Sequence, residues 1–171
     1  IRTFSGYAPK VHKSAVIHDS SEIIGRVKVG PNVSLWPMAV LRGDVNRITV
    51  GEGTNIQDHC VVHCREGFPA LIGKGVTIGH GVIVHGSRIG DGCLIGMGAI
   101  VMESSIGKQC LIAAGAMVPK GLKIPPRSLV MGFPAKAVRP LTAPELRQLK
   151  QSEVSYKKLA RRHALTSRVV F

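Results

Sequence analysis

Along most of this chain one position in six is aliphatic. The series runs Val11, Ile17, Ile23, Val29, Leu35 and Leu41, then Val50, Ile56 and Val62, then Ile72, Ile78 and Val84. It continues through Ile89, Ile95 and Val101, and closes with Ile106, Ile112, Val118, Ile124 and Val130. A helix of 3.6 residues per turn cannot keep a six-residue period on one face. Ordinary hairpin strands would alternate and turn irregularly. Self-similarity at a short fixed period predicts an all-β solenoid instead. Each hexad supplies one short strand with its aliphatic side chain inward, then a turn. Glycine often follows the aliphatic, as at Gly30, Gly51, Gly73, Gly79, Gly90, Gly96 and Gly107, where the turn needs unusual backbone angles. Coils stacked at the strand spacing of roughly 4.8 Å bond to one another through the backbone, so each needs its neighbours.

Residues 1–10 read as a lead-in. The pattern breaks up from Pro125, through Pro126, Pro134 and Pro140. Thr142-Ala143-Pro144-Glu145 is then a capping box, T-x-x-E, that opens a helix. Leu146, Leu149, Tyr156, Leu159 and His163 form its expected inward stripe. The chain thus divides into a β-helix domain over residues 1–140 and a C-terminal α-helix over 141–171. That helix lies along the solenoid or against a neighbouring copy.

A length of 171 residues gives one domain, and an apolar fraction of 44% excludes a disordered chain. No apolar run approaches the ~18–20 residues of a membrane-spanning helix, so no membrane role is expected. The formal charge is +13, from 23 Lys and Arg against 10 Asp and Glu. Nine of those basic residues and two of the acidic ones fall between Lys136 and Phe171, so much of the excess reads as a solvated basic helix. With aromatics at only 4% and no recognition motif, a nucleic-acid partner is not expected. Cys60, Cys64, Cys93 and Cys110 contain no CxxC pair, which suits reduced thiols and a cytoplasmic or organellar setting, the cytoplasm being the expected one.

The hexads, followed by Met131-Gly132-Phe133-Pro134-Ala135-Lys136 and a helix, resemble the hexapeptide-repeat, left-handed β-helix superfamily. That resemblance implies left-handed coils of three hexads, about 18 residues each, and a homotrimer. Most members are acyltransferases. Four segments look instead like the gamma-class carbonic anhydrase family: Arg42-Gly43-Asp44, Asn55-Ile56-Gln57-Asp58, Val62-His63, and the run Gly79-His80-Gly81-Val82-Ile83-Val84-His85-Gly86.

Coil arithmetic tests this resemblance. Leu41 to Val50 is nine positions and Val62 to Ile72 is ten, so the chain makes excursions of three and four residues beyond one hexad. With those removed, Arg42, His63 and His85 follow one another at 18-residue intervals and stack in one column. Asp58 and His80 share a second column beside it. Two imidazoles on adjacent coils can converge on one ion, whereas His80, on the preceding corner, points elsewhere. His12, His18, His59 and His163 read as ordinary surface histidines.

The resemblance implies that His63 and His85 of one subunit and His80 of the next hold a metal. Zn2+ suits such donors, and so do Fe2+ and Co2+. It implies reversible hydration of CO2 to bicarbonate by hydroxide on that metal. Gln57 would orient the hydroxide or substrate, and Asp58 would support His80 or the interface. Arg42 and Asp44 would form an intersubunit ion pair. Asn55 is either a polar wall residue or a stacked coil asparagine. Tyr156 either reaches the site or packs the helix. The chain departs from the best-known active pattern in two places. Val45-Asn46 stands where that pattern has a Glu, and the excursion Cys64-Arg65-Glu66-Gly67-Phe68-Pro69 replaces a long acidic loop. Glu66 is either the remaining proton shuttle or an exposed loop charge. Cys64 as a ligand is the weaker alternative, because strand alternation turns it away from its neighbour His63. Two other functions remain open on the same fold: an acyltransferase or thioesterase, and a metal-binding trimeric scaffold without hydration activity.

Overall fold

Three hexads close one coil, and the coils stack into a three-faced prism. The computed structural model describes residues 1–167; the last four residues of the expected helical segment, 168–171, lie outside the described residues. On the first face, Val61–His63, Ile83–His85, Ile100–Met102 and Met117–Val118 continue in parallel from the opening residues of Val40–Val50. The second face carries Lys10–Val11, the closing residues of Glu22–Val29 and Val40–Val50, then Ala70–Ile72, Arg88–Ile89, Ser105–Ile106 and Lys123–Ile124. Glu22–Val29 and Val40–Val50 run through the corner, which joins both faces into one 11-stranded sheet. The third face is an 8-stranded sheet. It runs from Val16–Ile17 through Ser34–Leu35, Asn55–Ile56, Thr77–Ile78, Leu94–Ile95 and Leu111–Ile112 to Ser128–Gly132, and ends on the antiparallel strand Ala135–Pro140. The molecule is a left-handed parallel β-helix of about seven turns with one C-terminal helix.

The hexad aliphatics fill its axis. Ile23, Leu41, Ile56, Val62, Ile78, Val84, Ile95, Val101 and Ile112 are wholly buried, and like stacks on like: Ile56 pairs with Ile78, Ile95 with Ile112. Full burial of such side chains stabilises by about 1.5–3 kcal/mol each. Sequence period and spatial period are therefore one quantity.

Both excursions leave the stack at the corner between the first and second faces. In the first, Gly25 pairs with Gly43 and Val27 with Ile48, so residues 44–47 bulge opposite Arg26 alone. Arg26 Nη2 donates to the Asp44 and Val45 carbonyls at 3.0 and 2.7 Å and holds the bulge open. The second is a tight turn bridged between Arg65 and Phe68.

Helix α1 spans Ala143–Thr166 and starts on the expected capping box, with Thr142 at the cap and Glu145 reaching back to its backbone. It lies along the third face, over Val16–Ile17, Asn55–Ile56 and Thr77–Ile78. The inward line differs from the expected stripe. Leu149, Glu153 and Ala160 are buried, while Leu159 is exposed. Steps of three and four from Leu149 run through 153, 156 and 160, which leaves 159 to one side. Glu153 sits over Gly75, where a Cβ would lie 2.7 Å from its Cδ, and Lys150 and Lys157 bind it at 2.8 and 2.6 Å. No helix among the described residues is long and apolar enough to cross a membrane.

Candidate metal centre

Val62 and Val84 point into the core, so alternation sends Val61, His63, Ile83 and His85 outward on the first face. Arg42 pairs across strands with His63, and His63 with His85, one column as the spacing predicts. The two imidazole centroids are 5.3 Å apart and tilted by 45°. Burial, followed by the neighbouring His63, lowers the His85 pKa, which keeps a neutral nitrogen donor.

Asp44 stands over this column. Its Oδ1 is 2.9 Å from His63 Nε2, and its Oδ2 accepts a very short bond from Arg42 Nη1. Burial alone would raise the Asp44 pKa, but hydrogen bonds from His63, Arg42 and the Val45 N–H outweigh it and hold the carboxyl at about 2. Within one chain, then, Arg42 and Asp44 pair with each other.

His80 is at the other end of the first face, on the turn between Thr77–Ile78 and Ile83–His85. Its Nδ1 lies 2.8 Å from Asp58 Oδ2, and the Gly81 N–H donates to the Asp58 carbonyl at 2.9 Å, so the second expected column is also present. The His80 side chain is 49% exposed, and it joins no cluster with His63 and His85 among the described residues. Gln57 is buried, and its Nε2 donates to Asn55 Oδ1 at 3.0 Å. Asn55 Nδ2 in turn donates to Thr77 Oγ1 at 3.0 Å, and that hydroxyl is 3.2 Å from Ser152 Oγ on α1. Asn55 is therefore a buried anchor for Gln57. Thr77 and Ser152, the links to the helix, carried no sequence signal. The Tyr156 ring meets Trp36 edge-on at 5.8 Å, and the residue lines a cavity of about 420 Å3 with Gln57, His80, Leu94, Met97 and Leu111. Burial, then Asp58, pushes its hydroxyl pKa up.

Glu66 is exposed on the second excursion's turn. The acid nearest His85 is Glu103, whose Oε1 is 3.7 Å from its Nδ1 and which no motif contained. Its one trace in the sequence is a charged residue where the same turn of the preceding coil has Gly86.

The donor set fits a borderline divalent cation. Both Nδ1 atoms of His80 and His85 face carboxylates, which leaves their Nε2 atoms for a metal. Donor atoms of Asp44, His63 and Cys64 also lie within 4.8 Å of one another. Cys64 is fully buried, and burial raises its thiol pKa, so it is a core residue and a poor thiolate donor.

No protein-family model matches this chain. Individual proteins do. A Methanocaldococcus jannaschii protein named "Probable carbonic anhydrase" is 47% identical over 88% of this chain and 95% of its own. The Arabidopsis thaliana protein "Gamma carbonic anhydrase 1, mitochondrial" is 41% identical over 92% of this chain, which spans only 60% of that longer protein. Among solved structures, a hexapeptide transferase family protein from Anaplasma phagocytophilum superposes with a TM-score of 0.90. It is 41% identical, and the match covers 94% of this chain and 95% of that one. Together with the stacked histidine column and the coil architecture, these likenesses show that the chain belongs to the gamma-class carbonic anhydrase-like family of hexapeptide-repeat proteins.

Proposed function

We propose that this protein hydrates CO2 reversibly to bicarbonate at a metal centre shared between subunits of a homotrimer. His63 and His85 of one copy and His80 of a neighbour would hold Zn2+, or Fe2+ or Co2+. The observation that carries this reading is the division of the histidines. Two stack at one end of the first face, and the third is held through Nδ1 by Asp58 at the other end, half-exposed. One chain cannot bring them together, whereas rotation about a symmetry axis can. The face between them is apolar and open, with Val61 38%, Ile83 40% and Met102 40% exposed, which suits coverage by a second copy.

A divalent cation there would supply the Lewis acidity that makes hydroxide available near neutral pH. The remaining steps belong to the chain. Asp44 has two partners, so it can release His63 Nε2 to a cation and stay paired with Arg42. Asp58 holds His80 at Nδ1. Gln57, fixed by Asn55, presents an amide that can orient the substrate. Glu66 can exchange protons with buffer, and its single carboxylate on a short turn predicts a turnover limited by external buffer. Four free, buried cysteines suit a reducing compartment, the cytoplasm in this reading.

The test is stopped-flow CO2 hydration with bound metal quantified in the same sample, for the wild type and His80→Ala. Hydration proportional to metal in the wild type, with metal lost and fold retained in His80→Ala, is the expected result. Full metal occupancy in the variant would refute the shared centre. Metal without hydration at any buffer concentration would favour thioester or acyl-transfer chemistry, for which the cavity beside His80 offers apolar walls at Leu94, Met97 and Leu111, or a scaffold role.

A further inference from the structure

On the coil below His85, one residue breaks two local rules together. Glu103 has φ +41°, in the left-handed region, where the preceding coil has Gly86 and the next has Gly121. Its side chain is also only 5% exposed, a buried carboxylate in a turn otherwise built for glycine. A charged side chain held against both preferences has strong local partners. Arg65 Nη1 donates to Oε1 at 3.0 Å, and Lys120 Nζ is 3.1 Å from Oε2. Both cations also lie over the Phe68 ring, at 5.4 and 5.6 Å from its centroid. The remaining contact is with the histidine column: Oε1 is 3.7 Å from His85 Nδ1.

Taking the proposed metal centre as its basis, we infer that Glu103 is the positioning residue of His85. Its carboxylate lies on the Nδ1 side of the ring, so it favours the tautomer with the proton there and the lone pair at Nε2. Arg65, Lys120 and Phe68 hold that carboxylate in place and fasten the short excursion to the coil beneath it. Every histidine of the centre then has its own acid: Asp44 for His63, Asp58 for His80 and Glu103 for His85.

The test uses full-length metal-free protein titrated with Co2+, with affinity read by chelator competition and geometry read from the visible spectrum. Glu103→Gly suits the positive φ and removes the carboxylate without backbone strain. Glu103→Gln removes the charge and keeps an acceptor for Arg65. Both are expected to weaken Co2+ binding roughly 10–100-fold and to shift the visible bands. Lys120→Met removes one of the two cations that hold the carboxylate and leaves Arg65 in place, so it is expected to weaken Co2+ binding by less than either Glu103 variant. Wild-type binding and spectrum in both Glu103 variants would overturn the inference. So would a Lys120→Met loss as large as theirs, because Glu103 would then matter only as part of the clamp. Absence of Co2+ uptake by the wild type is a separate outcome: it would remove the metal centre itself, and this inference with it.

Discussion

Asp58 and His80 show how much one side chain can decide here. His80 is half-exposed, and its ring is held through Nδ1, 2.8 Å from Asp58 Oδ2. Asparagine at position 58 can offer the ring an N–H instead of a charge, which removes the preference for a free Nε2. Asp58→Asn should therefore cut metal affinity roughly 10–100-fold. As a substitution outside the core, it should move stability by no more than about 0.5 kcal/mol. Metal analysis after dialysis against a chelator, beside a urea titration, separates the two effects. At this scale the histidine columns were legible because a constant coil length turns sequence separation into position. Glu103 was not, because a single acid in a turn has no periodic signature. The Asn55, Thr77 and Ser152 chain was not, because it joins residues 75 positions apart across a helix that periodicity does not place.

Helix α1 shows the same limit at the next scale. Its start was readable from four residues, since a capping box satisfies two orphan N–H groups by local geometry alone. Its docked face was misread at Leu159 because a buried glutamate, Glu153, takes an inward position that an apolar stripe assigns elsewhere. The cap itself is testable. Thr142→Ala should cost about 1 kcal/mol in a urea titration. Arg139, then the Thr142 N–H and hydroxyl, pull the Glu145 pKa down to about 2. A carboxylate depressed in the folded state stabilises above its unfolded pKa of about 4.3, and that contribution is lost as pH falls. The urea midpoints of wild type and Glu145→Gln should therefore differ at pH 7 and converge between about pH 4 and 2. A constant gap down to pH 2 would show that the charge of Glu145 is immaterial.

For the whole molecule, the proposed division of the histidines makes a statement about mixtures. Chains carrying His80→Ala lack one part of the centre, and chains carrying His63→Ala lack the other. Unfolded and refolded together in equal amounts, they should regain metal at about one subunit boundary in four, because random assembly brings complementary halves together that often. Metal analysis of the mixture checks this, and each variant alone should hold none. Recovery of nothing would mean that each chain builds its centre by itself. The architecture was almost fully legible, down to coils and corners. The antiparallel return of Ala135–Pro140 was not, because it abandons the hexad that made the rest readable.

The course of α1 bears on how the molecule comes apart. A solenoid is bonded only between adjacent coils, so its ends would be free to unzip one turn at a time. Here the helix runs back along the stack. Leu149 clusters with Leu129 and Leu141 near the last coil, Ser152 meets Thr77, and Tyr156 and His163 close on Trp36 among the first. Its 24 residues reach about 36 Å, slightly longer than the roughly 34 Å between the outermost of the eight strands on the third face. Loosening the first coil therefore pulls on a tie anchored at the last. A stack with only nearest-neighbour bonds becomes one cooperative unit, and the proposed metal centre, midway along it, is farthest from either fraying end.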